Sequence, residues 1–355
     1  MASGFPIGEI LIGEDSVTVI AEIGINHGGN LETAKHLAKL AVESGADLVK
    51  TQTHLPELEM SLEAKERVPG NANKSIFDVI SENSLPLNQE AELADYIRHI
   101  GGTYISTPFS REAADFLDEI GVQAFKIGSG ECNNYPLVDH IAAKGKPVIM
   151  STGMNDLASV GKSVEILRRR KAPFALLHTT NLYPTPARLI RLGSIAQLSN
   201  AFPEAVVGLS DHSKSNSACL AAVALGARVL ERHFTDTKDR EGPDIVCSMT
   251  PGELSELKVM SMEILMATGG DKGNISEEDV TRNFAFSSVA ALVDIQPGQQ
   301  LTTRHIFPIR PSGGDFGPAD LDSLVGMTAR RYIKARTQIR REDIQVEESS
   351  LHNRN

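Results

Sequence analysis

Short apolar runs alternate with amphipathic helical patterns along most of this chain. The apolar runs, which predict strands, are TVIAEI (18–23), ADLVK (46–50), GTYIST (102–107), QAFKI (123–127), KPVIMS (146–151), FALLH (174–178), AVVGLS (205–210) and ARVLER (227–232). Between the first two, LETAKHLAKLAVESG places its apolar residues on one face of a helix that Gly45 can end. This alternation is typical of βα units that build a parallel sheet.

The number of repeated units favours a closed barrel. Eight units lie between Thr18 and about Thr268, which is close to the roughly 250 residues of a typical (β/α)₈ barrel. A doubly wound open sheet is the alternative, but the glycine-rich phosphate fingerprint of that fold is not found. We therefore predict an α/β protein with a TIM barrel.

Composition narrows the function classes. The chain has 355 residues, 41% of them hydrophobic and 23% charged, as in globular proteins, and its net charge is −11. A negative net charge of this size argues against nucleic acid or an anionic membrane as a partner. No secretory signal or apolar run of about 18 residues is seen, and three scattered cysteines predict a cytoplasmic protein.

Polar side chains stand at the end of every predicted strand, where a TIM barrel carries its active site. They are Glu22, Asn26, His27, Lys50, Gln52, Ser106, Thr107, Lys126, Ser129, Glu131, Ser151, Thr152, His178, Asn181, Tyr183, Ser210, Asp211, His212, Glu231 and His233. A serine or threonine here can simply cap a helix. Lys50 and Lys126 are more informative, because an ammonium group at the end of a buried strand needs an anion. Two such lysines predict an anion site, most plausibly for phosphate.

His212 and His233 end neighbouring strands, so their imidazoles can converge. Two histidines near Glu22 suit a divalent cation such as Mn²⁺, Zn²⁺, Fe²⁺ or Co²⁺. With only two protein ligands, positions would remain for water and substrate, as in a catalytic metal site.

Several stretches carry a family resemblance. EIGINHGG, VKTQTH, EMSLEAKERVPGNANKSI, ISTPFS, FKIGSGECNNYPL, STGMN, LLHTTNLYPTP, GLSDHS, LERHFTD and EGPDIVCSM together resemble the bacterial N-acetylneuraminate (sialic acid) synthase family over essentially the whole chain. The resemblance implies metal-dependent condensation of phosphoenolpyruvate with N-acetylmannosamine, releasing phosphate, for sialic acid and capsule or surface polysaccharide biosynthesis. It implies Mn²⁺ as the metal, with Mg²⁺ or Co²⁺ possible.

The resemblance also implies roles for individual residues. The phosphoenolpyruvate pocket would be Lys50, Thr107, Lys126, Ser129, Ser151, Asn181, Ser210 and His212. The sugar pocket would be Gln52, Asn71, Tyr183, Asp244, Phe286 and Arg310, with Asn71 on the long polar loop that follows Lys50. His212 and His233 would bind the metal, and either Glu22 or Glu131 would handle the attacking water.

The resemblance divides the chain into domains. We expect a TIM barrel over 1–267, a polar linker over 268–283, a small antifreeze-like (SAF, β-clip) domain over 284–346 and a polar tail over 347–355. The family works as a domain-swapped homodimer, in which Arg310 would reach the partner's barrel and hold the N-acetyl group.

Two other functions remain open. Within the same chemistry, the acceptor could be a 2,4-diacetamido-trideoxymannose, which would give legionaminate. From another class, the barrel could be inactive while the C-terminal domain binds ice or polysaccharide. The complete set of polar strand ends argues against an inactive barrel.

Overall fold

The computed structural model describes residues 4–13, 15–70 and 73–345, and within them eight parallel strands close into a barrel. A hairpin of β1 (Phe5–Ile7) and β2 (Ile10–Ile12) comes first, and the barrel strands follow as β3 (Thr18–Gly24), β4 (Leu48–Thr53), β5 (Thr103–Pro108), β6 (Phe125–Ile127), β7 (Val148–Ser151), β8 (Phe174–Thr179), β9 (Val206–Asp211) and β10 (Val229–His233). Closure comes from β10, which pairs with both β9 and β3 and sets His233 opposite Glu22. The predicted TIM barrel is confirmed.

Helices occupy the connections between the barrel strands. They are α1 (Leu31–Glu43), α2 (Pro56–Glu59), α3 (Ile76–Asn83), α4 (Leu87–His99), α5 (Arg111–Glu119), α6 (Tyr135–Ala142), α7 (Leu157–Arg170), α8 (Ala187–Ile190), α9 (Gly193–Ala201), α10 (Ser217–Ala224) and α11 (Pro251–Ala267). In α1, Asn30 caps the first turn by accepting from the Thr33 amide, and Gly45 follows the last turn at φ +92°. The long polar loop after β4 carries two of these helices, α2 and α3.

The side chains inside the barrel form two sets, which we name the lower and upper rings. The lower ring is apolar and consists of Ile20, Leu48, Ile105, Ala124, Ile149, Leu177, Val206 and Val229. The upper ring consists of Glu22, Lys50, Thr107, Lys126, Ser151, Thr179, Ser210 and Glu231. Each of these residues follows its lower-ring residue by two positions, except on β9, where Gly208 lies between and Ser210 follows Val206 by four positions. The β1–β2 hairpin, which sequence analysis missed, packs Phe5, Ile7 and Ile12 against the lower ring.

The chain divides into two compact units, Met1–Gly269 and Gly270–Asn355. The second unit contains α12 (Asp279–Ala285), β11 (Ser288–Ala291), β12 (Ile306–Ile309), α13 (Leu321–Leu324), β13 (Thr328–Ala329) and β14 (Ile344–Gln345). Its strands pair antiparallel, β11 with β12 and β13 with β14, around a separate apolar core. Helix α12 begins inside the segment 268–283 that was predicted to be a polar linker. The predicted tail 347–355 lies outside the described residues.

Among the described residues, no helix is both long enough and apolar enough to cross a bilayer.

Candidate active site

A cavity of about 410 Å³ opens at the carboxyl ends of the barrel strands, and all eight residues of the upper ring line it. Most of the predicted site residues also line it: Glu22, Lys50, Gln52, Thr107, Lys126, Ser129, Glu131, Ser151, Asn181, Tyr183, Ser210, His212, His233 and Asp244. Asn71 lies outside the described residues, while Phe286 and Arg310 belong to the second unit and are exposed. One cavity therefore gathers groups that are up to about two hundred residues apart in sequence.

The two lysines lie on the floor of this cavity, and both are buried. Lys50 Nζ lies 2.7 Å from Glu22 Oε2 and donates a hydrogen bond to Thr107 Oγ1 at 3.0 Å. Lys126 Nζ donates to Ser151 Oγ at 2.6 Å and lies 3.6 Å from Glu231 Oε2. Glu22 and Glu231 thus supply carboxylates to the two ammonium groups, pairings that were not predicted from the sequence.

Burial and charge act in opposite directions on these groups. Burial lowers the pKa of Lys126 to about 8, against the raising effect of Glu231, and the nearby charge of Lys50 adds to the lowering. Burial alone would raise the pKa of Glu231, but the charges of Lys126 and Lys50 outweigh it and bring that pKa below its usual value. The two lysines and two carboxylates thus balance in formal charge, and either ammonium can be shared with an incoming anion.

Beside Lys126, three residues form a small polar pocket. The Gly153 amide donates to Ser129 Oγ at 3.0 Å. Asn181 Oδ1 is buried and has no hydrogen-bond partner among the described residues. A Cβ at Gly153 would lie 1.9 Å from this oxygen, so only glycine leaves Asn181 its present position. An unpaired buried acceptor is costly, so Asn181 is suited to accept from a ligand or from water.

His212 and His233 also line the cavity, with ring centroids 5.5 Å apart. His212 Nδ1 lies 2.9 Å from the Thr180 carbonyl oxygen, which can only accept, so Nδ1 carries the proton and Nε2 keeps a free lone pair. Burial and the neighbouring His233 lower the pKa of His212 to about 3, so the ring is neutral at pH 7. Tyr183 stacks on His212 at 4.1 Å and fixes its plane.

These residues fit a divalent cation. His233 Nδ1 and Glu231 Oε2 are buried without a hydrogen-bond partner among the described residues, and Asp244 Oδ2 lies 3.6 Å from His233 Nδ1. Imidazole nitrogens beside carboxylate oxygens are ligands that Mn²⁺, Co²⁺ and Zn²⁺ accept. In the described part of the chain, no group of three or more His, Cys, Asp or Glu residues forms a metal-binding cluster by itself.

Sequence analysis missed several residues of this cavity. Glu231 was recognised at a strand end but received no role, although its position two residues after Val229 already places it in the upper ring. Thr179 belongs to the same ring for the same reason. The loop after β4 adds two polar residues, His54 and Glu59, and an apolar wall made of Met60, Pro69, Ile76, Val79 and Ile80. Ile76, Val79 and Ile80 have the i, i+3, i+4 spacing of one face of helix α3, whereas no periodic pattern marks Met60 or Pro69.

A closed (β/α)₈ barrel with a charged cavity at the carboxyl ends of its strands defines a TIM-barrel enzyme. The NeuB family model matches residues 37–273 and the SAF domain model matches residues 286–345. The chain belongs to the NeuB family and carries a C-terminal SAF domain, which confirms the resemblance and the fold class.

The relatives of this chain are named for different products. The chain is 36% identical to the N,N'-diacetyllegionaminic acid synthase of Campylobacter jejuni over 330 residues, which cover 91% of this chain and 98% of that protein. It is 33% identical to human N-acetylneuraminate-9-phosphate synthase over 319 residues, or 88% of this chain and 89% of that one. The crystal structure of N-acetylneuraminic acid (sialic acid) synthetase from Leptospira borgpetersenii in complex with citrate matches with a TM-score of 0.72 at 30% identity, over 79% of this chain and 95% of that chain.

Proposed function

We propose that this enzyme condenses phosphoenolpyruvate with N-acetylmannosamine and water, giving N-acetylneuraminate and inorganic phosphate. The observation that carries the proposal is the meeting of Lys50 and Lys126 with His212 and His233 in one cavity. Buried ammonium groups suit an anionic substrate, and two neighbouring imidazoles suit a metal that activates an aldehyde. The relatives named above, two of them sialic acid or sialic acid phosphate synthases, support the same reaction class.

Phosphoenolpyruvate would occupy the lysine side of the cavity. Lys50 and Lys126 would bind its phosphate and carboxylate groups by charge-assisted hydrogen bonds. The neighbouring hydroxyl and amide groups would complete this pocket; they come from Thr107, Ser129, Ser151, Asn181, Ser210 and His212. With the anion held at both ends, C3 of the enol phosphate is free to face the acceptor.

The acceptor sugar would lie over the histidines, beside Gln52, Tyr183 and Asp244. His212 and His233 would hold a divalent cation, most plausibly Mn²⁺, with Mg²⁺ or Co²⁺ as alternatives. When bound, such an ion supplies Lewis-acid polarisation of the acceptor's aldehyde oxygen. The protein's own residues orient the reactants: Tyr183 packs on His212, and the Asp244 carboxylate lies near the Nδ1 atom of His233.

Bond making and breaking then balance as follows. C3 of the enol phosphate would form a bond to the aldehyde carbon, whose oxygen would become a hydroxyl group. Water would add to C2, and phosphate would leave with cleavage of its C–O bond. The oxygen of water would thus become the new keto oxygen, and its two protons would end on the former aldehyde oxygen and on the phosphate. The proton of the attacking water needs an acceptor, and Glu22 or Glu131 can serve. The geometry favours Glu22, which is buried beside Lys50, whereas Glu131 is partly exposed and accepts a hydrogen bond from Asn134.

A second acceptor is favoured by one observation, the apolar wall at residues 60–80. Aliphatic side chains cannot hydrogen-bond sugar hydroxyls, but they can pack against the methyl groups of a 2,4-diacetamido-trideoxymannose. The legionaminic acid synthase of C. jejuni is also among the similar relatives. Legionaminate synthesis is therefore the second candidate.

The second unit would complete the sugar pocket in a dimer. Arg310 is exposed and forms no hydrogen bond or ion pair within the described residues. We propose a domain-swapped homodimer in which Arg310 and Phe286 reach the partner's barrel. Sedimentation that finds a fully active monomer would contradict this assembly.

Phosphate release across a panel of acceptors tests the proposal. Release should require phosphoenolpyruvate together with N-acetylmannosamine, stop on chelation and return when Mn²⁺ is added. Faster turnover of the diacetamido-trideoxy sugar at equal concentration would replace the first acceptor by the second. Release with neither sugar, or release unaffected by chelation, would refute the proposed function.

A further inference from the structure

A continuous line of hydrogen bonds runs from the loop after β4 into the upper ring. Glu59 Oε1 lies 2.7 Å from His54 Nδ1, and His54 Nε2 lies 3.0 Å from Gln52 Oε1. Gln52 Nε2 then donates to Glu22 Oε1 at 2.8 Å, and the other oxygen of Glu22 lies 2.7 Å from Lys50 Nζ. His54 and Glu59 are both buried, yet the proposed reaction gives neither a role.

The donor and acceptor properties of these groups determine which atom donates in each hydrogen bond. An ionised Glu22 can only accept, so the amide nitrogen of Gln52 must face it. The carbonyl oxygen of Gln52 then faces His54, and Nε2 of His54 must carry a proton to donate to it. On its other side, the Glu59 carboxylate accepts from Nδ1. The direction of every bond therefore depends on an ionised carboxylate at each end and a proton on Nε2 of His54.

We propose that His54, held by Glu59, is a positioning residue that keeps the Gln52 amide donating to an ionised Glu22. The role rests on the proposed function, in which Glu22 receives a proton from the attacking water. With Oε1 held by Gln52 and Oε2 beside Lys50, the carboxylate cannot rotate away from the cavity. Loss of the proton on Nε2 would set a lone pair against the Gln52 carbonyl, and the amide would turn its oxygen toward Glu22.

Packing and backbone contacts around His54 and Glu22 support the same arrangement of these side chains. The His54 ring stacks on Phe109 with centroids 4.2 Å apart and planes 15° apart. The Leu55 amide donates to the second oxygen of Glu59 at 3.0 Å. At the other end, Gly24 has φ +54°, and a Cβ there would lie 3.0 Å from Glu22 Oε1 and 3.4 Å from the amide nitrogen of Gln52. The backbone thus leaves room for the Gln52–Glu22 bond.

The protonation of His54 tests the proposal directly in the intact, unmodified protein. A long-range ¹H–¹⁵N correlation spectrum of histidine-labelled protein at pH 7 reports the state of each ring nitrogen, and a His54→Gln sample identifies the signals. We expect Nε2 of His54 to be in the protonated N–H state. A bare Nε2 would overturn the proposal, and this result does not depend on which sugar is the substrate.

Kinetics provide the second test. His54→Phe keeps a ring on Phe109 but removes the donor, so kcat should fall roughly tenfold to a hundredfold, as expected for a lost hydrogen bond in a chain to a charged group, while KM for phosphoenolpyruvate changes less than about threefold. His54→Gln, whose amide can reach the place of Nε2, should recover most of kcat. The matched control is His99→Phe, at an exposed end of α4, with parental kcat expected.

The positioning role of His54 and the proposed reaction would be contradicted by different results. Parental kcat in His54→Phe, or equal losses in the Phe and Gln variants, would overturn the positioning role and leave the proposed reaction intact. If the parent enzyme turns over no acceptor, the proposed function fails, and the spectrum still decides the state of His54.

Discussion

The lower and upper rings of the barrel occupy equivalent inward-facing positions, yet their chemistry is opposite. In β7, Ile149 points into the lower ring, and Ser151, two residues later, accepts a hydrogen bond from Lys126 in the upper ring. The lower ring is apolar at every strand and packs on the β1–β2 hairpin, whereas every upper-ring residue is polar or charged and lines the cavity. The barrel interior is therefore divided into an apolar layer that stabilises the fold and a polar layer that lines the cavity.

The two rings should therefore respond differently to mutation. Burial of apolar side chains stabilises the lower ring, and removing one leaves a cavity. In the upper ring, desolvation of buried charges roughly offsets their mutual attraction, so the charges contribute little net stability. A substitution in the lower ring should lower the free energy of unfolding and leave binding close to normal, whereas a substitution in the upper ring should change binding.

The largest effect is expected from Ile149→Ala in the lower ring. Loss of a fully buried isoleucine should lower the free energy of unfolding by about 2–5 kcal/mol. Urea denaturation measures this change, and calorimetry should find phosphoenolpyruvate affinity close to that of the parent. An equally large loss of affinity would abolish the division between the rings.

Lys126→Ala in the upper ring should weaken phosphoenolpyruvate binding about 30-fold or more, because truncating one partner of a buried charge pair costs roughly 2–5 kcal/mol. Calorimetric titration measures the affinity. Lys39→Ala on α1, where the lysine is exposed, is the control and should bind normally. Unchanged affinity in the Lys126 variant would remove this lysine from the pocket.

Gly153→Ala should reduce phosphoenolpyruvate affinity about tenfold, the equivalent of one displaced hydrogen-bonding group. The new Cβ would displace Asn181 and crowd Ser129, while the helix and strand cores stay intact. The same titration applies, with Gly252→Ala as a control, since no atom lies within 4 Å of a Cβ there. Normal affinity in Gly153→Ala would show that Asn181 is not part of the anion site.

The smallest effect is a pH dependence. Burial lowers the pKa of Lys126 to about 8, so its ammonium form is present below that pH and is lost as the pH rises. An anionic ligand prefers the ammonium, so phosphoenolpyruvate affinity should fall as the pH rises through 8, to about half of its value near neutral pH at pH 8 and about a tenth at pH 9. Lys126→Ala should lack this decline. A parental affinity that is flat to pH 9.5 would contradict the assignment.

The sequence was sufficient for the barrel and most of its polar ends because both are local patterns. The apolar run KPVIMS indicates where a strand begins and ends. Lys126 is recognisable because a charged residue stands where an apolar residue is expected. The short runs FPI and ILI of the hairpin are too brief to show a period, so the hairpin was missed. In the segment SEEDVTRNFA, polar composition hid the helix α12.

The pairings between polar side chains could not be predicted either. The counter-ions of the lysines depend on which strands become neighbours, and Glu22 and Lys50 meet only because β3 pairs with β4. The contact between His54 and Glu59 depends on the short helix α2, a stretch of the loop without apolar periodicity. Local patterns therefore predicted the elements, and tertiary contacts determined the chemistry.

A crystal structure of the protein grown with phosphoenolpyruvate would test directly whether Lys50 and Lys126 bind this substrate in the upper ring. We expect density for the ligand between the ammonium groups of Lys50 and Lys126, with Ser151 and Asn181 within hydrogen-bond distance. Phosphoenolpyruvate bound anywhere outside the upper ring, with the two lysines still paired only to Glu22 and Glu231, would contradict it.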